Sequence, residues 1–239
     1  MKLEICANSF ESALAAQVAG AHRIELCQEL SLGGITPSHG LLEKVVSELE
    51  IPVFVLIRPR SGDFTYSQSE FDVMLRDIAF AKALGVQGIV SGILNTNFTI
   101  DTERTKRLMG NSGELPFVFH RAFDWTPNAE DALETLIDLG VKRVLTSGQQ
   151  SSAVIGFQTL KQLLKIADGR IEILPGGGIS ELNVMDFKNA NFKEVHGSLS
   201  RAIQGKRHPL KMSDNKTINQ GWLRVSDQTF IQDLISKIQ

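Results

Sequence analysis

The sequence predicts an α/β protein, a single (β/α)8 barrel of the TIM type extending over residues 1–239. Two observations carry this expectation. Gly20, Gly85 and Gly140 each end a helix-like stretch, and each is followed, after two connecting residues, by a run that reads as a strand: Arg23-Ile24-Glu25-Leu26, Gly88-Ile89-Val90 and Arg143-Val144-Leu145. A helix stopped by a C-terminal glycine and succeeded by a β-branched run is the punctuation of a repeating helix-to-strand unit. Eight short apolar runs also occur, near residues 3–6, 23–27, 53–58, 88–91, 117–120, 143–146, 171–174 and 194–197, with starts 20 to 35 residues apart. That spacing suits successive βα units, and eight of them in one chain suit a closed barrel.

The elements follow in order. The first strand runs into Cys6-Ala7-Asn8-Ser9, a turn without the GxGxxG signature of a dinucleotide site, and no Walker loop occurs. An open doubly wound sheet is therefore the second choice. Before Gly85 the apolar spacing is helical, through Phe71, Met74, Leu75 and Ile78; before Gly140 it runs through Ala129, Ala132, Leu133, Leu136 and Ile137, with Pro127 placed for a first turn. After the seventh strand, Pro175-Gly176-Gly177-Gly178 leads to a helix expected to start at Ser180. The stretch 205–220 is polar, with Lys206, Arg207, His208 and Lys211, and is expected to be a surface excursion before a final helix over about 227–238. No linker between domains is evident.

Composition narrows the function classes. Lys and Arg number 25 against 27 Asp and Glu, so there is no basic field to gather nucleic-acid phosphates. No run of about 18 apolar residues predicts a membrane span, and the opening MKLEICANSF lacks the apolar stretch of a signal peptide. A cytoplasmic chain is expected, binding neither nucleic acid nor membrane. Two cysteines cannot form the disulfide framework of a secreted domain, and in a reducing compartment they stay thiols.

Strand phase places the chemistry. Leu3 and Ile5 share one face of the first strand, and Glu4 and Cys6 the other; Ile24 and Leu26 oppose Glu25 and Cys27 in the second. The apolar phase must meet the helices, so Glu4, Cys6, Glu25 and Cys27 point into the barrel. Inward carboxylates are costly unless paired. Arg58, Arg60 and His120 at later strand ends are expected to balance them, alongside Glu172, Glu194 and His196. Such strand-end residues are where barrels of this type build active sites, and the loops after strands seven and eight are their usual phosphate cradle. Arg58, Arg60, Gly176, Gly177, Gly178 and Ser198 are accordingly the candidate anion-binding set, and Glu4, Glu25, Arg58, His120, Asp124 and His196 the candidate acid–base set. Buried ion pairing or inert packing would place the same residues without any chemistry. Cys6 and Cys27, at matching ends of neighbouring strands about 4.8 Å apart, can bring two soft sulfurs to one ion. A dithiolate suits Cu(I) better than zinc, which takes four ligands.

At these residues the chain resembles the CutC copper-homeostasis family. The matching stretches are Glu4-Ile5-Cys6, Arg23-Ile24-Glu25-Leu26-Cys27, Gly33-Gly34-Ile35-Thr36-Pro37-Ser38, Ile57-Arg58-Pro59-Arg60, Phe119-His120-Arg121-Ala122-Phe123-Asp124, Arg143-Val144-Leu145-Thr146-Ser147-Gly148 and Glu194-Val195-His196. The resemblance implies a TIM-type barrel, a cytoplasmic protein that forms homo-oligomers, and a role in copper handling with Cys6 and Cys27 as the candidate Cu(I) ligands. The alternative is an isomerase-like or lyase-like barrel enzyme acting on a small phosphorylated or carboxylated anionic metabolite. In it Arg58 and Arg60 clamp the substrate, and His120 or Glu25 moves the proton. A Schiff-base mechanism lacks a strand-end lysine.

Overall fold

A computed structural model describes residues 1–206 and 221–239. Eight parallel strands are joined in the order β7-β6-β5-β4-β3-β2-β1-β8: β1 (Lys2–Ala7), β2 (Arg23–Leu26), β3 (Val53–Leu56), β4 (Gly88–Ser91), β5 (Phe117–Phe119), β6 (Arg143–Thr146), β7 (Glu172–Pro175) and β8 (Glu194–Gly197). A parallel bridge between Gly176 and His196 links the β7 side to β8, so the sheet closes into a barrel. The helices α1 (Phe10–Val18), α2 (His39–Glu48), α3 (Gln68–Leu84), α4 (Thr102–Ser112), α5 (Ala129–Asp138), α6 (Phe157–Ala167) and α7 (Val184–Asn189) each follow the strand of the same number. This is the (β/α)8 architecture that the alternation of apolar runs and glycine-stopped helices predicts.

Local chemistry explains the boundaries. The longest helix, α3, opens with a capping box in which the Ser67 side chain accepts from Glu70 N–H and the Glu70 side chain accepts from Ser67 N–H. It ends at Gly85, whose φ of 88° is left-handed. Two expected starts move. Asn128 caps α5 by accepting from the N–H groups of Glu130 and Asp131, so Pro127 precedes the helix instead of opening it. Ser180 donates its N–H to Asn183 Oδ1 in a turn, and α7 begins only at Val184. The final helix α8 (Gln228–Ile238) lies where the sequence places it, with Asp227 as its cap, accepting from the N–H groups of Thr229 and Phe230.

The expected surface excursion at 205–220 lies, from residue 207 onward, outside the described residues. On either side of it stand two strands that the sequence reading did not anticipate, β9 (Ser200–Gln204) and β10 (Trp222–Ser226), paired antiparallel. No helix among the described residues is long and apolar enough to cross a membrane.

Two separate cores result from the alternation of side chains. Leu3, Ile5, Ile24, Leu26, Val53, Val55, Ile89 and Val195 lie between strands and helices, whereas Cys6, Cys27, Phe54, Leu56, Val90, Val118, Leu145 and Leu174 fill the barrel. The interior is tight enough to dictate small residues. A Cβ on Gly88 would stand 2.5 Å from the Phe54 ring, so β4 has no room for a side chain opposite that phenylalanine.

Candidate functional site

The barrel interior is polar in tiers. At the bottom, Arg23 pairs with both Glu4 and Glu194, and Arg143 Nε approaches Glu194 Oε2 at 2.8 Å. Both guanidinium groups lie over the Phe54 ring, at 5.3 and 5.6 Å. The carboxylates are therefore balanced from within their own tier. Arg58, Arg60 and His120, expected to do this, do not, and Arg23 and Arg143 take that role. Arg23 was legible in principle, because it sits two residues before Glu25 and shares its inward phase.

The next tier holds the soft donors. Cys6 Sγ lies 3.5 Å from Cys27 Sγ and 3.9 Å from Glu25 Oε1. His196 Nδ1 lies 2.8 Å from Glu4 Oε1. Ligand atoms of Cys6, Glu25 and His196 all come within 4.8 Å of one another, and all three residues are buried. Burial works against charge on Glu4, but the His196 hydrogen bond and the Arg23 charge outweigh it and hold Glu4 at about 2. For Glu25 the balance tips the other way, because burial outweighs the His196 and Arg23 charges and the Cys6 contact that favour its carboxylate. Burial, reinforced by the Glu4 charge, raises it to about 7, and its Oε2 has no partner. Burial alone would lower the value for His196, yet bonds to Cys6 and Glu4 and the Glu25 charge carry it well above that of a free imidazole. The hydrogen bond with Cys27, followed by burial, pushes the Cys6 thiol up.

The mouth forms the third tier. Arg58 is 5% exposed and donates to three carbonyls, from Nη1 to Leu32 and Gly34 at 2.9 and 2.8 Å and from Nη2 to Gly62 at 2.9 Å. His120, also 5% exposed, accepts from Ala122 N–H through Nδ1 at 3.2 Å. Burial, with the neighbouring Arg58 charge, drops His120 to about 3, so its ring is neutral. Arg121 donates from Nε to Asp124 Oδ2 at 2.7 Å and from Nη2 to Ser147 Oγ at 2.7 Å.

One cavity of about 270 Å³ brings together Cys6, Glu25, Arg58, His120, Gly177, Gly178, His196 and Ser198 from the expected sets. Glu4 stands behind His196, and Cys27, fully buried, behind Cys6. Three candidates lie elsewhere. Arg60 is held by Glu70, Asp63 and the Thr65 carbonyl and does not line the cavity. Asp124 fastens the loop after β6, accepting from Ser147 and Gln149 N–H at 3.1 Å. Gly176 is a packing glycine, since a Cβ there would meet Leu145 at 2.5 Å. Arg121 lines the cavity and was not singled out from sequence. A groove of about 340 Å³ near α5 and α6 offers Glu130 as its sole ionisable lining residue.

A parallel α/β barrel with thiol, imidazole and carboxyl donors converging beneath its mouth is the class of protein that fold and site define. The CutC family model matches residues 1–201, and the chain belongs to the CutC family. A CutC family protein of Photorhabdus laumondii is 47% identical over 202 residues, covering 84% of this chain and 81% of that protein. A human protein named copper homeostasis protein cutC homolog is 43% identical, covering 97% of this chain and 87% of its own length. The crystal structure of a CutC protein from Streptococcus agalactiae, described as a copper homeostasis protein, superposes with a TM-score of 0.78 at 34% identity, covering 83% of this chain and 98% of that one.

Proposed function

We propose that this chain is a cytoplasmic copper-handling protein that takes Cu(I) as its cargo through Cys6 and Cys27. The observation that carries this reading is the 3.5 Å approach of two buried thiols, beside a buried imidazole on His196. Thiolate and imidazole are soft to borderline donors, the set that favours Cu(I) over hard cations. His196 is the natural third ligand, and its Nδ1 contact with Glu4 orients the ring as carboxylates orient ligating histidines. Copper entering here displaces the thiol protons and the extra proton that the Glu4 contact and the Glu25 charge hold on His196. The acid–base enzyme reading of the pocket loses two of its parts, because Arg60 is committed to Glu70 and Asp63, and Asp124 to the β6 loop.

A competition titration against a chromophoric Cu(I) chelator tests it. One Cu(I) per chain is expected, with a loss of affinity of tenfold or more in both Cys6→Ser and Cys27→Ser. Unchanged affinity in both variants contradicts the assignment. So does tighter retention of zinc than of Cu(I), since Cys6, Cys27, His196 and Glu25 would then be acting as a four-ligand zinc set.

A further inference from the structure

The mouth of the barrel holds a buried cation that the copper reading does not use. Arg58 forms no ion pair with a carboxylate among the described residues; its guanidinium donates to carbonyl oxygens and lies 4.9 Å from the Phe64 ring centroid, and its Nε has no hydrogen-bond partner. Buried charges are ordinarily paired. Beside it, His120 accepts through Nδ1, which leaves the hydrogen of the neutral ring on Nε2, and that atom too is buried without a partner. Both side chains line the 270 Å³ cavity. Across the mouth from Arg58, on the β7 and β8 side, the cavity is lined by Gly177, Gly178 and Ser198; the N–H groups of Gly178 and Ser198 donate to no group among the described residues. Gly177 and Gly178 have φ of 98° and 82°, and the Arg121 guanidinium stands next to Gly177.

We propose that the barrel mouth binds a small phosphorylated metabolite carrying a second acidic group. The phosphate sits on the amides of Gly178 and Ser198, beside Gly177 and Arg121, where free N–H groups next to a glycine turn suit an oxyanion. The second group, a carboxylate, faces Arg58 and His120, neutralising the one and accepting from the other. Size fixes the scale of the ligand. At roughly 30 Å³ per water, the cavity has room for a molecule of only a few carbons, and it is at the small end of ligand pockets. The ligand shares this cavity with Cys6 and His196, which line it beneath the mouth, so its binding is measured on the copper-free chain.

Calorimetric titration with 3-phosphoglycerate and with inorganic phosphate, used as probes on the full chain, decides the matter. The expected result is one 3-phosphoglycerate per chain, bound at least tenfold more tightly than inorganic phosphate. Arg58→Met and His120→Phe should each remove most of that advantage, by a factor of about ten, while leaving inorganic phosphate binding within twofold; Arg170→Ala, on an exposed pair with Glu134, serves as the neutral control. If Arg58→Met does not fold, as judged by circular dichroism, His120→Phe carries the comparison. Absence of saturable binding by either probe overturns the proposal. So does equal affinity for the two probes, or an advantage that survives both substitutions.

Discussion

At the scale of single residues, what matters is which buried charges have partners. Arg23 joins Glu4 to Glu194, all three nearly inaccessible. Arg23→Met would leave Glu4 with His196 alone and Glu194 with Arg143 alone, and removing one partner from a buried network costs about 3–5 kcal/mol; urea denaturation should show a loss of that size. His120 makes the opposite case. Its folded value of about 3 lies below the ordinary 6.5, so between those limits the unfolded chain binds a proton that the folded chain refuses. Stability therefore falls as pH drops below about 6.5, by up to about 1.4 kcal/mol per pH unit. His120→Phe should flatten this acid limb in denaturation midpoints measured at pH 7 and pH 5. An equally steep limb in the variant would show that other groups carry it. Phase reasoning could find Glu4, Cys6, Glu25 and Cys27 because it needs only a period of two. It could not tell that Arg60 turns outward to Glu70, because that is settled by a loop and a helix cap.

At the scale of elements, the alternation of strands is what makes a polar interior compatible with an apolar shell. The eight strands were legible because each is a short apolar run, and because β2, β4 and β6 each follow a glycine stop, as Gly85 stops α3 before β4. The β9 and β10 pair was not, since Ser200-Arg201-Ala202-Ile203-Gln204 is exposed along nearly its whole length and shows no buried face for periodicity to report. Inside the barrel, packing couples neighbours. Gly88→Ala forces a Cβ against Phe54, and overpacking of this kind costs about 1–3 kcal/mol. In a Phe54→Leu background that penalty should shrink by about 1 kcal/mol or more, measured as a double-mutant cycle in urea. A penalty unchanged by Phe54→Leu would place the strain in the β4 backbone instead of in the ring.

At the scale of the molecule, the site depends on barrel closure, because Glu4 and Cys6 come from β1, Glu25 from β2 and His196 from β8, and β1 is paired with both of the others. The C-terminal α8 supports that seam. It buries Ile231, Leu234, Ile235 and Ile238, and the Met1 amino group donates to the Ile238 carbonyl. Removing residues 228–239 forgoes about 6 kcal/mol or more of apolar burial, a large share of a typical domain's stability; the truncated chain should lose its cooperative thermal transition. A sharp transition at the original temperature would show that the seam holds without the helix. The central claim is that closure brings two thiols and an imidazole to one Cu(I). X-ray absorption at the copper edge of the Cu(I)-loaded chain tests it most directly: two sulfur neighbours and one nitrogen neighbour are predicted, with sulfur lost in the Cys6→Ser, Cys27→Ser double variant, whereas a first shell of nitrogen and oxygen alone would contradict it.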